Sequence, residues 1–136
     1  MPVCVLLIDD HPLMRDAVRI TLDTVAPGSR IDLAASFAEA RRLLALDARY
    51  DFTLLDLNLP DSTGLDTFRA VHRHVMHLPI VILSGQEDVE LAVDAVGLGA
   101  QDYLTKAEAN RSSLARSIRY AIERSRRQRA EQELTA

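Results

Sequence analysis

The chain has no tryptophan, one cysteine, five glycines and five prolines, and aromatic residues make up only 4% of it. A single cysteine rules out an internal disulfide, and Cys4 stands inside an apolar run where a small buried hydrophobe is expected. The few glycines form neither G-x-G-x-x-G nor G-x-x-x-x-G-K-[ST], so the backbone-amide cradles of dinucleotide and nucleoside triphosphate binders are missing. No basic stretch precedes Val3, and the apolar run Val3–Ile8 is too short for a secretory h-region or a membrane span. The expectation is a cytoplasmic protein with no membrane partner. The scarcity of aromatics also argues against direct nucleic-acid binding by the arginine-rich C-terminal segment, which no base-reading motif accompanies.

What is present is enough apolar material for a core. A chain of 136 residues, 48% hydrophobic, matches the usual size of one domain. Its net charge of −4 conceals an asymmetry: residues 1–110 carry 9 basic and 17 acidic side chains, whereas residues 111–136 carry 7 arginines and 3 glutamates. The body is acidic and the tail basic.

Hydrophobic periodicity switches repeatedly between strand and helix. The apolar run Val3–Ile8 is followed by Leu13, Met14, Ala17, Val18, Thr21, Leu22 and Val25 at helical spacing, which Ala26-Pro27-Gly28 breaks. Ile31–Ala34 predicts a second strand, and Ser36 with Glu39 forms a capping box that starts a helix near Phe37 and carries it to about Leu46. A third strand ends at Asp56. After the loop through Pro60 and Gly64, Leu65, Phe68, Val71, His72 and Val75 mark a third helix. A fourth strand opens at Pro79, and Val89, Ala92, Val93 and Val96 mark the helix after it. A fifth strand lies near 101–105, and Leu114, Ile118, Ala121 and Ile122 stripe a fifth helix. Alternation of this kind predicts an α/β fold with a parallel sheet covered on both faces.

The strand endings carry the chemistry. They are Asp9-Asp10, Asp56, Ser84 and Lys106, and in parallel strands joined by right-handed crossovers all of them fall in one crevice at the carboxyl edge of the sheet. Adjacent aspartates repel a bare phosphate, but oxygen ligands hold a hard cation, and magnesium fits one or two carboxylates plus waters. Asp10 is expected to ligate it directly, Asp9 largely through water, with Asp56 and the backbone carbonyl of Asn58 completing the set. Asp56 is anionic at neutral pH and needs no general base to attack phosphorus. Lys106 supplies a point charge and Ser84 a rotatable hydroxyl for a phosphoryl oxygen.

In these residues the chain resembles the receiver domain of two-component response regulators, over essentially residues 3–123. The motifs are Asp9-Asp10, Leu55-Asp56-Leu57-Asn58-Leu59-Pro60 with Gly64 beyond, Ser84-Gly85, and Tyr103-Leu104-Thr105-Lys106. The segment from Asp9 to Arg15 is similar to a subfamily that often carries a DNA-binding helix-turn-helix. The resemblance implies a flavodoxin-like, doubly wound (βα)5 fold with strand order 2-1-3-4-5. It implies phosphorylation of Asp56 by the phosphohistidine of a sensor histidine kinase or phosphotransfer protein, with Mg2+ as cofactor. It further implies a switch in which Ser84 moves toward the phosphoryl group, Tyr103 rotates inward, and the face of helix 4, strand 5 and helix 5 changes its affinity for partners, including a second copy of the chain. On this reading the domain is a phosphoacceptor regulator that assists its own phosphoryl transfer and dephosphorylation, not an enzyme.

Two departures stand out. Ala107 follows Lys106 where the family often has proline in a cis peptide, so the geometry of that peptide is left open. Asn58 and Gln86 occupy positions at which the family tunes phosphoryl lifetime. Residues 124–136 read as a helical extension toward an output domain or a dimer partner, spanning roughly 40 Å if the helix runs unbroken from Glu108 to Leu134. The rival class is a haloacid-dehalogenase-like phosphatase, which needs a D-x-D-x-[TV] motif after its first strand and a cap domain; here Asp56-Leu57-Asn58 follows the third.

Overall fold

The computed structural model describes residues 2–46, 49–75, 77–107 and 111–135. The core strands are β1 (Cys4–Ile8), β2 (Arg30–Ala34), β3 (Phe52–Asp56), β4 (Ile80–Ser84) and β5 (Asp102–Thr105). They alternate with α1 (Pro12–Val25), α2 (Phe37–Ala45), α3 (Leu65–His74), α4 (Val89–Gly97) and α5 (Arg111–Thr135). A two-residue antiparallel ladder pairs Asn58–Leu59 with Ser62–Thr63 inside the loop after β3.

All four pairings in the main sheet are parallel, and the strands lie in the order β2-β1-β3-β4-β5. Side chains alternate faces along a strand, so each central strand feeds two cores. Val5, Leu7, Phe52, Leu54, Val81 and Leu83 meet α1 and α5 through Val18, Leu22, Leu114 and Ile118. On the other face Leu6, Ile8, Leu55, Ile80 and Ile82 meet α2, α3 and α4 through Ala40, Phe68, Val71, Ala92 and Ala95. The central strands β3 and β4 are buried throughout, whereas the edge strands β2 and β5 are only partly covered. The doubly wound architecture expected from the alternation, and the strand order implied by the resemblance, are those of the molecule.

Several local details differ from the sequence reading. Cys4 is half-buried, because it opens β1 at the bottom of the sheet; burial pushes its thiol above the usual pKa. Leu13 is 84% exposed and Val93 50%, so neither belongs to the buried stripe of its helix. Pro79 lies just outside β4, where its carbonyl accepts from Thr53 N at 3.0 Å. The capping box at Ser36 is half as expected: Ser36 Oγ accepts from Glu39 N at 3.1 Å, but Glu39 Oε2 reaches Ala35 N at 2.8 Å, one residue upstream of the expected amide. None of the described peptide bonds is cis, the Lys106-Ala107 bond included. Glu108, where the sequence reading starts the long last helix, is outside the described residues. Helix α5 stays against the body well along its length, with Ser125 buried and Arg129 paired with Asp51.

Candidate functional site

The carboxyl edge of the sheet gathers the polar residues that end the apolar strands. Asp9 follows β1 and is only 1% exposed, its amide held by Ala34 O at 3.0 Å. Asp56 ends β3 and is 3% exposed. The chain turns sharply at both places. Asp9 Oδ1 accepts from His11 N at 2.8 Å, and Asp56 Oδ1 accepts from Asn58 N at 2.9 Å, so each aspartate caps the loop that follows it. Asp10 lies further out, with 36% of its side chain exposed.

Lys106 arrives from the end of β5. Its amide donates to Ser84 O at 2.8 Å, which ties the two loops together. Its ammonium donates to Asp56 Oδ2 at 2.9 Å and Asp9 Oδ1 at 3.2 Å, and stands in ion-pair contact 3.1 Å from Asp9 Oδ2. That second oxygen of Asp9 is buried and accepts no hydrogen bond. The hydroxyl of Ser84 is likewise buried with no hydrogen-bond partner among the described residues. Tyr103 is half-buried against the core beneath α4. Gln86 opens a 3-10 turn after Gly85, and its side chain is outside the described residues.

Burial is the main force on Asp56 and raises its pKa. The Asn58 amide and the Lys106 ammonium oppose that shift, while the charge of Asp9 adds to it. Two unit charges about 4 Å apart repel by roughly 4 kcal/mol at an effective dielectric of about 20, so one ammonium shared between two buried carboxylates leaves an excess of negative charge.

The donor set fits a divalent cation. Asp9, Asp10, His11 and Asp56 each offer a ligand atom, and these atoms all lie within 4.8 Å of one another. Carboxylate oxygens suit a hard ion such as magnesium, and Asp9 Oδ2, which accepts no hydrogen bond and has only the Lys106 ammonium beside it, has lone pairs to offer one.

The profile of the response regulator receiver domain matches residues 5–119. The chain belongs to this family. Over 103 residues it is 32% identical to the glycerol metabolism activator of Pseudomonas putida, a match that covers 76% of this chain and 47% of that protein. Among solved structures it resembles a response regulator receiver domain protein from Clostridium thermocellum, with TM-score 0.78, 26% identity, and 91% and 97% of the two chains covered. It also resembles the receiver domain of sensor histidine kinase PA1611 from Pseudomonas aeruginosa PAO1, solved with a magnesium ion coordinated in the active-site cleft; there the TM-score is 0.73, the identity 28%, and the coverage 90% and 99%. The receiver domain spans about half or less of the length of the curated relatives it matches. Receiver domains are the regulatory domains of two-component response regulators.

Asp9, Asp10, Asp56 and Lys106 thus come together in this receiver domain, Ser84 is tied to Lys106 through the backbone, Asn58 adjoins Asp56 through its amide, and Tyr103 packs against the core on one face of the sheet. The sequence reading missed two residues. His11 Nδ1 lies 2.8 Å from Asp9 Oδ1, 3.2 Å from Asp10 Oδ1 and 2.6 Å from Lys106 Nζ, inside the pocket. Asp61, in the loop after Asp56, accepts from Phe37 N at 2.8 Å and Ala38 N at 2.9 Å, and these bonds hold its carboxyl below the usual pKa. The adjacency of His11 to Asp9-Asp10 was a signal for the first. A groove at the opposite end of the sheet, lined by Tyr50, His74, His77 and Arg129, lies far from this chemistry.

Proposed function

We propose that this receiver domain is a phosphorylation-controlled switch in which Asp56 accepts a phosphoryl group from the phosphohistidine of a sensor histidine kinase or phosphotransfer protein. The observation that carries the reading is Asp56 itself, buried at the end of β3 with its Oδ2 on Lys106 Nζ at 2.9 Å and the Asp9 carboxylate alongside. A carboxylate oxygen of Asp56 attacks phosphorus, the P–N bond to the donor imidazole breaks, and the imidazole leaves with the electron pair. Lys106 holds an oxygen of the transferred group, and Ser84 Oγ donates to another once the group is in place.

Asp9, Asp10, Asp56 and the Asn58 carbonyl are the protein ligands of Mg2+, which neutralises charge on the transferred group when bound. With the group on Asp56, Ser84 moves toward it and Tyr103 turns inward, shifting the surface of α4, β5 and α5 between two states. That surface, or the C-terminal part of α5, contacts the downstream partner or a second copy of the chain. In this scheme residues 1–123 form the receiver and 124–136 a helical extension, the same pocket assists dephosphorylation, and the protein works in the cytoplasm. Among the described residues no helix is long and apolar enough to cross a membrane.

Incubation with a small-molecule phosphodonor and MgCl2 is expected to add one acid-labile phosphoryl group, read by intact mass. Asp56→Asn should abolish the addition. An unchanged mass for the unmutated domain at saturating donor and metal would overturn the proposal.

A further inference from the structure

His11 has no role in the scheme above, yet its Nδ1 lies at the centre of the acidic cluster. The local chain puts it there: the Asp9 carboxylate holds His11 N at 2.8 Å, and Pro12 at the first position of α1 fixes the backbone beyond. The nitrogen then stands 2.8 Å from Asp9 Oδ1, 3.2 Å from Asp10 Oδ1 and 3.5 Å from Asp56 Oδ2, with Lys106 Nζ at 2.6 Å. The nitrogen is thus ringed by three carboxylate oxygens and one ammonium nitrogen, all within 3.5 Å.

A divalent cation held there takes a lone pair from Nδ1 and from the carboxylate oxygens, and the Lys106 ammonium gives up its 2.6 Å contact with Nδ1 while keeping the one to Asp56 at 2.9 Å. The separations measured from Nδ1 agree with that arrangement. Ligands bonded at about 2.1 Å stand about 3.0 Å apart at octahedral angles and about 3.4 Å apart at tetrahedral ones. The distances from Nδ1 to the three carboxylates, 2.8, 3.2 and 3.5 Å, cover that range.

We infer that His11 is a nitrogen ligand of the metal pocket, and that it biases the pocket from Mg2+ toward borderline first-row cations from Mn2+ to Zn2+. The physical reason is ligand type: carboxylate and water favour magnesium, whereas imidazole nitrogen favours transition metals. The inference rests on the reading of Asp9, Asp10 and Asp56 as metal holders, and it adds a residue and a cation class to that reading. Lys106 remains on Asp56 and the phosphoryl group in either case.

The test is calorimetric titration of the full chain with Mg2+ and with Mn2+, for the unmutated protein, His11→Ala and His11→Gln, joined to electron spin echo modulation of the Mn2+ complex. His11 is 56% exposed, so neither substitution removes core packing. The unmutated complex should show modulation from a directly bound imidazole nitrogen that both variants lose. The preference for Mn2+ over Mg2+ should fall on the order of tenfold or more in both. Binding of both ions with no nitrogen modulation, or with the same preference in all three proteins, would overturn the role of His11 while leaving the carboxylate site standing. No binding of either ion at millimolar concentration would overturn the metal site itself.

Discussion

At the scale of single residues, Asp56 combines two demands that conflict. In the proposed role it must be reachable by a phosphodonor, yet it is 3% exposed beside a second carboxylate. Its pKa is raised chiefly by burial, so the folded protein binds the Asp56 proton more tightly than the unfolded chain does. The stability this proton contributes is fully present below the ordinary value of 3.8 and is lost as pH rises through the raised folded value. At neutral pH the ionised carboxylate therefore costs stability, and Asp56→Asn is expected to raise Tm by about a few °C in chelator-containing buffer at pH 7. The gap should close as the pH is lowered toward 3, and Mg2+ should stabilise the unmutated domain more than the variant; thermal melts across pH check both. The strand endings were legible in the sequence because each closes an apolar run whose direction the parallel fold dictates. The position of His11 Nδ1 was not, since it depends on ring orientation at the end of a turn and leaves no periodic trace.

At the scale of elements, the loop between β3 and α3 holds the site together through its neighbours. Asp61 caps α2 from across 24 residues of sequence by accepting from Phe37 N, and Gly64 N returns to Leu57 O at 2.8 Å. Gly64 adopts φ 72° and ψ −155° just before α3, a region essentially confined to glycine, and a Cβ built there meets no atom within 4 Å. The cost of Gly64→Ala is therefore purely conformational, about 1–3 kcal/mol, and should appear in urea unfolding as a lower midpoint with an unchanged slope. An unchanged midpoint would contradict the assigned backbone conformation. The helix start at Ser36 was legible because its cap is local. The Asp61 cap was not, because it joins two segments that only the tertiary fold brings together. Leu13 and Val93 show the same limit, being apolar residues at helical spacing that nonetheless face outward.

At the scale of the molecule, five parallel strands with two cores leave one polar edge where every strand ends, and the chemistry sits there. This architecture was legible because short strand-like segments, the first and fourth almost wholly apolar, alternate with striped helices along the whole chain. The return of Arg129 to Asp51 was not legible, as an arginine in a charged helix gives no sign of which acid it will meet. The central claim is that this edge delivers a phosphoryl group to one aspartate out of three. Borohydride reduction after treatment with phosphodonor and MgCl2 converts an acyl phosphate to homoserine, and peptide sequencing then locates it. The account predicts homoserine at position 56 alone, only when metal is present. Homoserine at position 9 or 10, or at none of the three, would contradict it.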